Sequence, residues 1–203
     1  MARYGTEHKA QTRQRIIDTA GRRLKQNGID GSGVAALMTD AGLTNGAFYA
    51  HFASKDDLVA HVVADQLASQ RAVLVALPEG RTSLKQFVLE YLSPQHRDDP
   101  GLGCPNAALL DEIGRCDDAV RDSYTRGMQS IVDVIATRLS PGNPAVARST
   151  ALGLFTILVA TMQLARAVTD PEMSDDILQS GIENAQVLLD HEPLETDHER
   201  IAT

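Results

Sequence analysis

Twenty-five residues, Val34 to Leu58, reading VAALMTDAGLTNGAFYAHFASKDDL, restrict the fold more than any other part of the chain. A short apolar helix ending at Gly42, a tight turn through Leu43 and Thr44, and a second short helix from about Asn45 to Phe52 describe a helix-turn-helix. Gly42 supplies the left-handed position that stops the first helix, where a Cβ is penalised. Thr44 suits the N-cap of the second, and Ser32 that of the first, because a hydroxyl accepts from the exposed amides of an opening turn. Ala36, Leu37, Ala41, Leu43, Ala47 and Phe48 are expected to form a buried seam, leaving Asn45, Gly46, Tyr49 and His51 facing outward.

AGLTNGAFYAHFASKDDL resembles the core signature of the TetR family of bacterial transcriptional regulators: an Ala-Gly turn, a Gly-containing recognition helix, an aromatic pair, and a Ser-Lys-x-x-Leu start to the next helix. The close match spans roughly residues 10 to 60; Gly33 and Met38 depart from it. The resemblance implies a DNA-binding head, a following helix that transmits a ligand signal, and dimerisation through the last helices. The expected fold is therefore all-α. A three-helix helix-turn-helix domain over 1–53 is joined by a long helix to a helical ligand-binding and dimerisation domain over 54–203, with about nine helices in all.

Composition agrees. Leu, Ala and Val dominate, aromatics make up 4% and tryptophan is absent, which favours helices over a β-sandwich. No run of eighteen apolar residues and no signal peptide stand out, so a cytoplasmic protein is expected. Cys104 and Cys116 are too few for a disulfide scaffold. The net charge of −8 is unequally divided: residues 1–55 hold eight basic and four acidic groups, and the remainder eleven basic and twenty-three acidic. The motif thus lies in the basic end, as phosphate neutralisation requires, and the acidic remainder belongs away from DNA.

Met1 to His8 reads as a flexible arm, with Arg3 either reaching a minor groove or inert. Ile16, Ile17, Ala20 and Leu24 recur at helical spacing from Lys9 to Asn27, and Gly28 stops the pattern. In the recognition helix, Asn45, Gly46 and Ala47 are short enough for close backbone approach, and Asn45 matches adenine in bidentate fashion. Thr44, Tyr49 and His51 carry donors for phosphate oxygens, which fix register without reading sequence. Lys55, in a turn capped by Ser54, suits one further phosphate. A surface histidine and a half-buried packing tyrosine are the plain alternatives for His51 and Tyr49.

Further helices are predicted over Ser54–Leu77, Thr82–Leu92, the segment after Cys104, Asp117–Leu139, Ala145–Val168 and Ser174–Leu189, with a loop over SPQHRDDPGLG. Arg148 and Arg166 argue against a membrane span for Ala145–Val168, and the last two helices suit a four-helix interface between two copies. An intramolecular core is the simpler alternative. Pro105 places Cys104 at a helix N-cap, facing the positive end of the dipole with His96 and Arg97 upstream, the setting of a reactive cysteine. Free cysteine also packs as a small inert hydrophobe. A Cys104–Cys116 bond is out of reach along a helix.

Phe87, Tyr91, Tyr124, Met128, Phe155 and Met162 are candidates, with Cys104, to line an effector cavity, although aromatic and Met residues at helical spacing also serve as plain core. Asp190, His191, Asp197 and His198 lack an orienting pattern, so no metal and no cofactor are expected. Nor is an enzyme: no nucleophile motif or glycine-rich phosphate loop accompanies the Ser, His and Asp present. The function expected is a dimeric repressor of a palindromic operator, released by a small-molecule inducer. A redox or electrophile-sensing repressor acting through Cys104 is the alternative.

Overall fold

A computed structural model describes residues 2–191, and among them every regular element is helical: nine α-helices and two short 3-10 helices. The chain divides into two compact units, the first comprising residues 1–70 and 99–128 and the second residues 71–98 and 129 onward.

In the first unit, α1 (Ala2–Asn27) buries Ile16, Ile17, Ala20 and Leu24 and ends at Gly28, whose φ of +79° suits a residue without Cβ. The helix therefore begins at Ala2, where a flexible arm was expected. Ser32 is buried and donates its hydroxyl to the Gly28 carbonyl at 2.7 Å. It closes the inter-helix loop, and Gly33, not Ser32, occupies the N-cap of α2 (Val34–Asp40).

α2 stops in a Schellman arrangement. The Gly42 amide donates to Thr39 O at 2.9 Å and the Leu43 amide to Met38 O at 2.9 Å, with Gly42 at φ +68°. The expected second short helix is present over Asn45–Ala50 and is wound as a 3-10 helix. A segment of six residues can close its ends with i→i+3 bonds, as the Ala47 amide does to Thr44 O at 3.0 Å and the His51 amide to Phe48 O at 2.9 Å. Thr44 has the extended backbone of an N-cap (φ −78°, ψ 151°), but its side chain makes no capping bond. Phe48 and Phe52, both buried, stack with centroids 5.7 Å apart and anchor this turn.

A reciprocal cap opens α3 (Lys55–Ala76): Ser54 Oγ accepts from the Asp57 amide at 3.0 Å, and Asp57 Oδ2 accepts from Ala53 N–H at 2.9 Å. α6 (Pro105–Ile113) packs on α1. Lys25 Nζ donates to Gly103 O at 2.8 Å, and the Asp30 amide to Glu112 Oε2 at 3.0 Å. α7 (Asp118–Leu139) starts within this unit, where a Cβ on Gly127 would lie 2.4 Å from Leu67 Cδ1, so the glycine permits close approach to α3.

The second unit holds the end of α3, α4 (Arg81–Tyr91), α5 (Pro94–Asp98), the end of α7, a 3-10 turn over Pro144–Ala147, α8 (Arg148–Ala167) and α9 (Pro171–Asp190). α5 falls within the expected loop; Ser93 Oγ accepts from the His96 amide at 3.3 Å and Pro94 opens the turn. α9 begins three residues before the expected Ser174, because Asp170 accepts from the amides of Glu172 and Met173 while Pro171 fills the first position. α8 and α9 form the packed pair of this unit through Leu154, Leu158, Met162, Leu178, Ala185 and Leu189. A Cβ on Gly181 would fall 2.4 Å from Thr161 Cγ2, so the crossing is a close one. Pro144–Ala167 has the length and apolar content to span a membrane, but its inner face is spent on this core, and Arg166 donates to the carbonyls of Arg97 and His96 at 3.0 and 2.6 Å.

Candidate functional site

The recognition turn presents Thr44, Asn45, Gly46 and Tyr49 to solvent, Tyr49 being 73% exposed, over the buried Leu37, Met38, Ala41, Phe48 and Phe52. Tyr49 stands edge-on to Phe48 at 5.2 Å. A Cβ added to Gly46 would meet nothing within 4 Å, so the fold itself places no demand for glycine there. Ala47 and Lys55 are half-buried, Lys55 as the first residue of α3. Arg23 of α1 holds Asp40 at the end of α2 at 2.7 Å, which fixes how α2 meets α1.

His51 departs from the outward position expected of it. It is half-buried at the end of the recognition turn, its ring 6.4 Å from that of Phe52 and its Nδ1 enclosed without a hydrogen-bond partner. Burial, then the positive charges of Lys9 and Arg13, push its pKa below the ordinary imidazole value. The Arg13 guanidinium lies over the Phe52 ring at 4.7 Å, so α1 brings cations to this edge of the turn.

In the first unit, Cys104 does occupy the N-cap of α6, and it is buried. Its surroundings are amides. Gln70 Nε2 donates to Sγ at 3.0 Å and Asn106 Nδ2 at 3.1 Å, while Asn106 Nδ2 also reaches Gln70 Oε1 at 2.9 Å. Asn106 is fully buried and its Oδ1 has no hydrogen-bond partner. In the second unit, His96 Nδ1 lies 2.6 Å from Tyr91 O, and Arg97 pairs with Asp98 at 2.7 Å and Asp175 at 2.6 Å. Tyr124 belongs to the first unit; burial, then the charge of Cys104, push its phenol up to about 12. Met128 is half-buried.

Cys116 is half-buried at the far end of α6, its thiol donating to Glu112 O at 3.4 Å and held above its ordinary pKa by burial and then by Asp56 and other carboxylates. The two cysteines are not bonded to each other.

In the second unit Phe87 and Tyr91 are buried with centroids 5.8 Å apart, Met162 is fully buried and Phe155 half-buried. A cleft of about 430 Å³ in this unit is lined by other residues, among them Arg71, Val75, Asp133, Thr137 and Arg138. Asp190 pairs with Lys85 at 2.5 Å and His191 Nδ1 approaches Val187 O at 2.8 Å; Asp197 and His198 lie outside the described residues. Sequence reading missed Gln70 and Asn106. Asn106, two residues after Cys104, was open to inspection, whereas Gln70 is brought in from α3 by folding alone.

Residues 16–62 match the profile of bacterial regulatory proteins of the tetR family. Over 62 residues the chain is 37% identical to the HTH-type transcriptional regulator AcrR of Shigella flexneri, a match covering 30% of this chain but only 29% of AcrR. Over 142 residues it is 24% identical to the HTH-type transcriptional repressor NemR of Escherichia coli strain K12, covering 68% of this chain and 70% of NemR. The crystal structure of reduced E. coli NemR superposes with a TM-score of 0.75 at 18% identity, over 87% of this chain and 96% of NemR. Bacillus subtilis FadR in complex with stearoyl-CoA gives 0.64 at 15% identity, over 87% and 97%. The helix-turn-helix thus lies within the segment that matches the tetR-family profile, and the fold of the chain is the one these regulators share.

Proposed function

We propose that the chain acts in the cytoplasm as a dimeric repressor of a palindromic operator and is released by a small-molecule inducer, with residues 1–53 reading DNA and 54–203 receiving the signal and forming the dimer. The observation that carries this reading is the exposed Thr44, Asn45, Gly46 and Tyr49 on a rigid aromatic seat. Asn45 reads a base edge, Gly46 and Ala47 admit close approach, and Thr44, Tyr49, His51 and Lys55 hold phosphates. A two-fold dimer sets two such turns in successive major grooves about 34 Å apart.

The dimer is assigned to α8 and α9. The outward stripe of α8, Leu152, Thr156, Ala160, Leu164 and Ala167, is exposed and carries no charge, as an unpartnered helix–helix surface does. The candidate inducer contacts are Cys104, Tyr124 and Met128 in the first unit and, separately, Phe87, Tyr91, Phe155 and Met162 in the second. The stearoyl-CoA held by FadR, a protein of the same fold, supports a small-molecule effector. Binding of such an effector lowers operator affinity by its differential affinity for the two states of the regulator.

Selection of bound duplexes from a random pool by the purified protein tests the reading. A palindromic consensus is expected, and no enrichment at moderate salt would count against it.

A second reading is favoured by the two amide donors aimed at Cys104 Sγ. Modification of this buried thiol by an electrophile or oxidant breaks the Gln70–Cys104–Asn106 cluster, which joins α3 to α6. Cys104→Ser distinguishes the two. Loss of electrophile response with operator binding kept supports the thiol, and an unchanged response removes it.

A further inference from the structure

Lys9 and Arg13 stand four residues apart on α1 and so share one face of the helix. That face meets the end of the recognition turn: the Arg13 guanidinium covers Phe52 at 4.7 Å, and Phe52 is the chain neighbour of His51 and lies 6.4 Å from its ring. Arg13 and His51, from two elements, thus both adjoin Phe52, and Lys9 lies one turn before Arg13 on the same face of α1.

Gln14, the neighbour of Arg13, donates to Asp18 of α1 at 3.0 Å and to Asp65 of α3 at 2.9 Å. On α1, Glu7 projects about 200° away from Lys9, at about 100° per residue. On α3, Asp57 is occupied by the Ala53 amide at 2.9 Å and by His61 at 3.2 Å, and the His61 ring lies edge-on to the same Phe52, 6.0 Å away. The charges that act on His51 are those of the cations Lys9 and Arg13.

We propose that Lys9, Arg13 and His51 form a single seat for a DNA phosphodiester, and that filling it draws a proton onto His51. The proposal deepens the operator reading and rests on it. In the free protein the two cations and partial burial hold the imidazole neutral near pH 7. A phosphate placed among the three groups reverses the local field, neutralising the α1 cations and accepting from the imidazolium, so the bound state binds one more proton per protomer. By linkage, operator affinity rises as pH falls through the bound-state pKa of His51, and the gain levels off below its free-state pKa. Each protomer contributes up to about tenfold per pH unit within that window. The α1 cations add counterion release: loss of one phosphate contact per protomer removes about one from the log–log salt slope for that protomer.

The test measures binding to the duplex selected from the random pool, between pH 5.5 and 8.5 at fixed ionic strength, for wild type, His51→Gln and the exposed-site variant Lys9→Gln. Wild-type affinity is expected to climb toward acid pH. His51→Gln flattens that climb by up to one proton per protomer, and Lys9→Gln lowers the salt slope. Calorimetry in two buffers of different ionisation enthalpy counts the same proton directly. Equal pH slopes in wild type and His51→Gln, with DNA still bound, overturn the proton coupling alone. An unchanged salt slope in Lys9→Gln overturns the seat. Failure of wild type to bind any duplex defeats the operator reading instead.

Discussion

Asn45 and Tyr49 lie on the same exposed turn, and on the proposed operator reading one contacts a base and the other a phosphate, so single substitutions separate them. Asn45→Ala removes a bidentate base contact, so it is expected to cost about 1–3 kcal/mol and to relax preference at one base position of the selected site. Tyr49→Phe removes a phosphate donor and weakens all duplexes alike; competition binding against single-base variants of the consensus reads the difference. In the first unit Tyr124 offers a pH-dependent check. Its phenol is pushed up to about 12 by burial and then by Cys104, so the unfolded chain ionises first, near the ordinary value of about 10. The folded state then holds more protons than the unfolded one, and stability falls as pH rises through the interval from about 10 to 12. Unfolding midpoints across that range should drop for wild type and less steeply for Tyr124→Phe; parallel curves would remove Tyr124 from the explanation.

At the scale of elements, two glycines four residues apart in the motif have opposite meanings. Gly42 sits at φ +68° and ends α2, so Gly42→Ala is expected to destabilise by about 1–2 kcal/mol through the left-handed backbone alone, since nothing crowds its Cβ position. Gly46 has neither a positive φ nor a neighbour within 4 Å of a Cβ, so Gly46→Ala should leave the unfolding midpoint unchanged or slightly raised while weakening DNA binding. A loss of stability in Gly46→Ala would show that the turn, and not the DNA, requires the glycine. These elements were readable because local chemistry decides them: Gly28 and Gly42 end helices, Ser54 with Asp57 begins one, and apolar spacing marks α1, α3, α7, α8 and α9. What escaped the sequence was settled by competition. Ser32 found Gly28 O in place of the α2 amides, Asp170 and Pro171 claimed three residues from a segment read as a break, and α5 formed inside a Pro- and Asp-rich stretch. The recognition element follows the same pattern, its position and exposed residues being legible but its 3-10 winding and the inward lean of His51 not. For Cys104 the N-cap was visible from Pro105, whereas the amide of Gln70 arrives from 34 residues away and has no local signature.

For the molecule as a whole, the proposed affinity for a palindrome depends on two heads joined by one interface, which the proposed reading puts on α8 and α9. Its inner residues, Ala151, Leu154, Leu158, Met162 and Ala165, are consumed within the second unit. The opposite stripe from Leu152 to Ala167 remains exposed, with Leu164 58% accessible, and on α9 Met173 and Val187 are similarly open at 53% and 58%. A carboxylate placed on this stripe costs little in a monomer, where water solvates it. In a dimer it is buried without a partner, at several kcal/mol per copy. Leu164→Glu and Ala160→Glu are therefore expected to fold with wild-type helicity yet sediment as monomers, and to bind the selected palindrome about 10²–10⁴-fold more weakly, because the second half-site no longer benefits from the first. Leu102→Glu, at a leucine 75% exposed in the first unit, serves as the control and should remain dimeric. If Leu164→Glu sediments as the wild type does, the two-fold axis lies elsewhere and the α8 stripe is excluded from it. If it becomes monomeric but binds the palindrome undiminished, each head reads its half-site alone, and the spacing between heads cannot be how an inducer releases the operator.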